Sequence, residues 1–373
     1  MPPRAPAGAS PRIVAIETAV PATVLTQDTA RDLFVGQRGR SRLATRLTAT
    51  AFDASGIERR HTVIDSLVSG EESALLDADG TIRPASTGTR NALYAEHAPA
   101  LALQAARRSL EAGGIRAEEV THVVTASCTG FVSPGPDLAL VRGLGLAPST
   151  SRLHVGFMGC SAAFPALRAA DALCRADPSA VVLVVCVELC TLHLTASDDP
   201  EQIVAMSLFA DGAAAALVTA RESPDAGPAL VLDAFLTGLL PDTIDEMRWT
   251  IGDTGFVMRL SSRVPVHLGR GIRASLAPLL PGGPDAVDGW AVHPGGRSIL
   301  DNVQGALELP DRAMAPSRAV FARFGNMSSP TVLFVLRELL ARGSRGTVCA
   351  MAFGPGLTLD AARLRVVDGA GAA

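Results

Sequence analysis

Gly156-Phe157-Met158-Gly159-Cys160-Ser161-Ala162-Ala163, residues 156–163, is the stretch from which the rest of the chain is read. Apolar residues precede it, and residues 161–176 read as a helix with Pro165 tolerable in its first turn. Cys160 therefore stands at a strand-to-helix junction, where unpaired backbone N–H groups point and favour thiolate over thiol. A free thiol with a pKa of roughly 8.5 is mostly protonated at neutral pH. The remaining sequence must then supply a base or cation, and a site for an oxyanion.

On both sides of this stretch, short apolar runs alternate with helical ones, the pattern of an α/β protein. Strands are expected at residues 12–20, 121–126, 180–187, 213–219, 229–235 and 289–292. Helices are expected at 98–112, 297–309 and 329–340, the last with Ser329 as N-cap and Pro330 at its first position. Residues 222–228 (ESPDAGP) are polar and rich in turn formers, and read as a linker between segments 1–228 and 229–373. Residues 281–284 (PGGP) mark a further loop.

Composition narrows the function classes. With 373 residues, 48% of them hydrophobic, the chain can bury a large core in two packed halves. A formal net charge of −4 leaves no basic footprint for nucleic acid and no polybasic membrane signal. Residues 1–12 lack the apolar core of a signal peptide, and the longest apolar run is far too short to span a bilayer. A soluble, cytoplasmic protein is expected. The six cysteines form no CxxC pair and sit among apolar neighbours, which suits reduced, buried thiols. Cys186 and Cys190 beside His193 come nearest to a metal cluster, but zinc requires a denser set, and no metal is expected. Lysine is absent; all 33 basic residues are arginine. That removes Schiff-base chemistry and the P-loop lysine, and leaves phosphates to arginine or backbone N–H groups.

Two further residues carry complementary chemistry. His293 ends the expected strand Trp290-Ala291-Val292 and precedes Pro294-Gly295-Gly296, a pair of glycines that permits close backbone approach by a ligand. Read alone, it is equally a histidine held in a tight turn. Asn326, in Phe324-Gly325-Asn326-Met327-Ser328-Ser329-Pro330, precedes an expected helix and reads by itself as an ordinary turn asparagine. Together with Cys160 the set makes sense: a sulfur nucleophile, an imidazole that can hold the thiolate as an ion pair, and an amide N–H for a developing negative charge.

The segments Gly156–Ala163, Leu208-Phe209-Ala210-Asp211-Gly212-Ala213, WAVHPGGRSIL (290–300), FGNMSSPTVLF (324–334) and FGPGLT (353–358) occur in this order. In them the chain resembles the type III polyketide synthases, the chalcone synthase-like branch of the thiolase-fold superfamily. The resemblance implies a layered αβαβα fold of two similar halves, a homodimer, and acyl-CoA and malonyl-CoA as substrates with no cofactor. It implies that Cys160 carries the starter and the growing chain, while His293 and Asn326 stabilise the enolate left by decarboxylation. Two preorganised donors in a dry pocket lower that barrier far more than in water. Loss of carbon dioxide itself generates the nucleophile, so no general base is required for that step.

The resemblance also implies gatekeepers at Phe209 and Phe256, and a pocket drawn from Cys128, Thr129, Ser133 and His193. These pocket stretches depart from plant chalcone synthases and look more like bacterial enzymes making alkylresorcinols or alkylpyrones from fatty acyl starters. His193 would narrow or polarise the wall, or be a satisfied structural histidine. For the coenzyme A phosphates, residues 47–54 carry no basic side chain, leaving Arg46 or Arg59. Ala352 replaces the family's glycine before FGPG. Two other readings are a ketoacyl synthase III-like enzyme performing a single condensation, and a non-catalytic acyl-binding scaffold.

Overall fold

Strand Val181–Leu189 is buried along its whole length, and its side chains feed two different cores by simple alternation. Val181, Leu183, Val185 and Val187 pack against the long helix Thr87–Gly113 on one side. Val182, Val184 and Cys186 pack on the other side against helices Ala163–Ala176 and Thr331–Ala341. The computed structural model describes residues 10–221 and 227–368. Most of the expected linker, residues 222–226, lies outside the described residues, as do residues 1–9 and 369–373.

The strand belongs to a nine-stranded sheet. From one edge the order is Gly289–Val292, Gly346–Gly354, Thr358–Val367, Ala229–Leu239, Arg12–Ala19, Asp211–Thr219, Val181–Leu189, His122–Ser127 and Ser151–Gly156. The seam lies between Arg12–Ala19 and Ala229–Leu239, which pair only at Arg12↔Val231 and Ile13↔Leu230. Each half-sheet carries helices on its outer face: Thr87–Gly113 on the N-terminal half, Val264–Leu276 and Arg297–Leu307 on the C-terminal half. Helices Ala163–Ala176 and Thr331–Ala341 share the core between the halves. Helix, sheet, helix, sheet, helix is the layered αβαβα arrangement expected from the sequence. Among the described residues no helix is long and apolar enough to cross a membrane.

Two local expectations are corrected. The helix expected at 98–112 begins at Thr87, where the Ser86 side chain caps the Thr89 N–H, and it runs through Pro99. Proline interrupts the sequence pattern, but this helix has enough buried surface on Thr87–Gly113 to keep its course. Ser329 does not cap the helix that follows it. Helix Thr331–Ala341 starts after Pro330, and the Ser329 hydroxyl instead donates to Glu188 Oε1 at 2.6 Å.

Candidate active site

Cys160 sits in the tight turn Gly159–Ser161, between strand Ser151–Gly156 and helix Ala163–Ala176. The chain enters that turn through left-handed conformations at Phe157 (φ 58°) and Gly159 (φ 62°), the first unusual for a side chain of this size. A Cβ on Gly159 would run into Pro355, and one on Gly354 would meet Ser161 Oγ and the Met158 carbonyl. The segment 353–358 is thus folded directly onto the nucleophile turn.

Asn326 is 2% exposed and is held by its own backbone. Its N–H donates to the Leu208 carbonyl and its carbonyl accepts from the Ala210 N–H, both at 2.9 Å, so it flanks Phe209. Its Oδ1 accepts from the Ser328 N–H at 2.8 Å, and its Nδ2 donates to the Gly295 carbonyl at 3.3 Å. The amide orientation is thereby set. Gly295 in turn closes the turn after His293, donating its N–H to the His293 carbonyl at 3.0 Å. The Ser328 and Asn326 side chains both pull the Cys160 thiol down against burial. Cys160, Asn326 and His293 are all buried, with Asn326 tied to the turn after His293 through Gly295 and acting on the Cys160 thiol.

Burial dominates the electrostatics of the site. Burial pushes the Cys160 thiol up to about 11, against the opposing pull of the Ser328 and Asn326 hydrogen bonds. Burial alone drives the His293 imidazolium down to about 3. Neither ring nitrogen of His293 has a hydrogen-bond partner among the described residues. Burial thus works against both charged partners of the thiolate–imidazolium contact expected from the sequence. A buried imidazole without partners is destabilising by about 1–3 kcal/mol for each unmet group, and such orphans call for a functional reason.

The cavity beside Cys160 is small, about 20 Å³, room for about one water. Phe209, Cys128 and Thr129 line it, as expected, together with Trp249, Met258 and Ser328. Phe256 does not. It lies on the hairpin Met247–Gly252/Gly255–Leu260, where Met258 pairs with Trp249 and Phe256 with Ile251. Both face inward, but Met258 reaches the cavity and Phe256 packs behind it. His193 is not a wall residue either. Its Nε2–H donates to the Thr129 carbonyl at 2.8 Å, its Nδ1 accepts from the Phe256 N–H at 3.0 Å, and burial holds it neutral, down to about 4. With both nitrogens engaged it is a structural histidine. Ser133 is exposed and lines a separate cleft with Arg152 and His154. Arg46 and Arg59 are exposed.

Glu188 was not singled out by sequence reasoning. Fully buried, it accepts from the Cys128 N–H (2.9 Å), Thr129 Oγ1 (2.8 Å), Ser329 Oγ (2.6 Å) and, more weakly, Ser127 Oγ (3.3 Å). It ties the Cys128–Thr129 loop to the Asn326 loop. Its signal was a lone acid at the end of a valine-rich strand. Trp249 and Met258 carry no such signal.

Comparison with known proteins agrees with this geometry. The chain matches the family models of chalcone and stilbene synthases, the N-terminal domain over residues 4–222 and the C-terminal domain over residues 232–368. It is 34% identical over 362 residues to the alpha-pyrone synthesis polyketide synthase-like Pks18 of Mycobacterium tuberculosis, covering 93% of this chain and 89% of that protein. The crystal structure of PKS-I from the brown alga Ectocarpus siliculosus matches with a TM-score of 0.91 at 30% identity, over 96% of this chain and 99% of that one. The C-terminal type III polyketide synthase domain of Steely1 from Dictyostelium matches at 0.87 and 28% identity, over 95% and 99%. A buried cysteine, histidine and asparagine on a layered αβαβα frame, matched along nearly the whole chain, make this protein a member of the chalcone and stilbene synthase family, a type III polyketide synthase and hence an acyltransferase.

Proposed function

We propose that the enzyme loads an aliphatic acyl group from its CoA thioester onto Cys160, extends it repeatedly with malonyl-CoA, and closes the product to an alkylpyrone or alkylresorcinol. In loading, the Cys160 sulfur attacks the starter carbonyl as its proton passes to the His293 imidazole, the bond to the coenzyme A sulfur breaks, and His293 returns the proton to the departing coenzyme A thiolate. Malonyl-CoA then loses carbon dioxide to give a thioester enolate. Its oxygen accepts hydrogen bonds from His293 and Asn326. The enolate carbon attacks the acyl carbonyl, the C–S bond breaks, and Cys160 is returned as thiolate. The observation that carries this reading is the buried, unpartnered His293 imidazole, with the Asn326 amide oriented on the carbonyl of Gly295 two residues further on. Such donors stabilise developing charge without reorganisation.

An aliphatic tail fits the apolar character of the site. The cavity beside Cys160 shares Met247, Trp249 and Pro355 with a cleft of about 750 Å³ edged by Leu239, Leu240 and Ile244. The alpha-pyrone synthesis for which Pks18 is named favours lactone closure. Coenzyme A is assigned to a cleft of about 630 Å³ that reaches Gly295 and Gly296 and carries Arg259 on its wall. Arg46 and Arg59 are exposed cations available to its phosphates.

The working form is proposed to be a cytoplasmic homodimer. All six cysteines are free and buried, in keeping with a reducing compartment. Strand Ser151–Gly156 ends the sheet with Leu153 46% exposed, near the exposed Phe131 and Val132. An open edge with apolar flanks invites a second copy. Radiolabelled malonyl-CoA with acyl-CoAs of graded length tests the catalytic reading. Products holding more than one malonyl-derived unit are expected; a single β-ketoacyl thioester would favour the one-condensation alternative.

A further inference from the structure

Arg60 is a buried cation with no part in the chemistry described above. It lies on the short strand Arg59–Thr62 and is 3% exposed. Its Nη1 donates to the carbonyls of Met206 and Phe209, both at 2.8 Å. These carbonyls belong to the last turn of helix Pro200–Leu208 and to its C-cap, the negative end of the helix. Its Nε and Nη2 have no hydrogen-bond partner among the described residues. Asp211 lies within charge range of the guanidinium, but its carboxylate is engaged elsewhere, by the Val63 N–H, the Thr191 N–H and the Thr191 hydroxyl.

The stem of Arg60 meets the other side of the site. Gly325 has φ 68°, and a Cβ there would meet Arg60 Cγ at 3.0 Å, Arg60 Cδ at 3.1 Å and the Leu208 carbonyl at 3.0 Å. Gly325 therefore rests on the arginine stem, and the next residue is Asn326. Phe209 and Asn326 are bridged to each other by the backbone pairs through Leu208 and Ala210. One side chain thus fastens the carbonyl of Phe209, which walls the cavity, and underlies Gly325, the residue before Asn326.

We propose that Arg60 is a positioning residue that sets the placement of Asn326 against Phe209, and through it the decarboxylation step. Stability does not account for it. The guanidinium lies over the Phe52 ring, 5.5 Å from its centroid, but two of its nitrogens stay unmet, and apolar replacement of such buried cations is often neutral or stabilising. The inference rests on the roles assigned to Cys160 and Asn326 under the proposed function.

The test separates loading from decarboxylation. Loading is read as the intact-mass shift of the protein with decanoyl-CoA, and decarboxylation as acetyl-CoA released from malonyl-CoA alone. Arg60→Met is expected to lower decarboxylation by about tenfold or more while loading changes by less than about threefold, since a misplacement near 1 Å can reduce a rate about a hundredfold. Arg60→Lys, which keeps a donor for the two carbonyls, is expected to recover most of the loss. Equal losses in both assays, or no loss in either, overturn the proposal. If Arg60→Met does not fold, Arg60→Gln takes its place under the same criteria: a selective fall in decarboxylation supports the proposal, and equal losses or no loss overturn it. Wild-type protein that neither loads nor decarboxylates refutes the reading of the site itself, a result distinct from any behaviour of the variants.

Discussion

The His193 and Phe256 rings stack with centroids 4.1 Å apart and planes 13° from parallel, and the Phe256 N–H donates to His193 Nδ1 at 3.0 Å. One histidine thus holds both the ring and the backbone of the hairpin residue behind the cavity wall, and through the Thr129 carbonyl fastens them to the opposite loop. Replacing it with leucine leaves the Phe256 N–H and the Thr129 carbonyl unmet. We expect a loss of about 2–4 kcal/mol, from a penalty of about 1–3 kcal/mol per unmet buried group. Denaturant unfolding of His193→Leu measures it.

Acid should destabilise the fold through the same residue. His193 is held down to about 4 and His293 to about 3, against an unfolded value of 6.5. Between the two values the unfolded chain binds more protons, so stability rises with pH. The contribution is complete above about 6.5 and fades as pH falls toward the folded values. From pH 7 to pH 5 each histidine should account for about 2 kcal/mol. Unfolding curves at the two pH values check this, and His193→Leu should reduce the difference by about 2 kcal/mol.

Alkylation should report the raised Cys160 thiol. In the absence of substrate, iodoacetamide labelling should be slow at pH 7 and rise about tenfold per pH unit until the thiol titrates. The thiol stands at about 11. Ser328→Ala removes a hydrogen bond to the thiolate and should move the profile to still higher pH. A rate already at its plateau at pH 7 would contradict the assigned burial effect.

His293→Ala should separate activity from stability. Malonyl-CoA decarboxylation should fall by about 10²–10³-fold, the usual effect of losing one donor to a developing oxyanion. The unfolding free energy should change little, because removal of two unmet nitrogens offsets the lost packing. Acetyl-CoA release and thermal unfolding read the two quantities.

Trp249, with Met247 and Pro355, lines both the cavity of about 20 Å³ and the cleft of about 750 Å³. Trp249→Ala should join them and lengthen the preferred starter by about two to four carbons, at the modest discrimination a few methylenes allow. Competition between acyl-CoAs of graded length, read by product mass, gives the shift. The Cys128 carbonyl loses its 2.7 Å bond from the indole N–H, so some loss of stability should accompany it.

Cys160, His293 and Asn326 are legible in the sequence because the segments that carry them occur together and in one order; read singly, His293 and Asn326 pass for ordinary turn residues. The strands feeding the cores are legible from their apolar runs. The choice between Phe256 and Met258 is not. Both lie on one face of a hairpin, and which reaches the cavity depends on how far that hairpin slides along the body, a long-range register that local pattern does not encode. Ser329 misleads because a serine before proline is locally a good cap, while a carboxylate distant in sequence, Glu188, competes for its hydroxyl. The effect of burial on Cys160 is likewise invisible in a motif, since desolvation is a property of the assembled interior.

The alternating strand Val181–Leu189 limits how this protein can change. Length errors there are graded by parity: losing one residue would send every following side chain into the neighbouring layer, whereas losing two would keep each on its own side. Drift within the segment is therefore confined to swaps of similar volume, and novelty in the products must be sought at the margins of the frame, on hairpins and turns such as the one bearing Trp249.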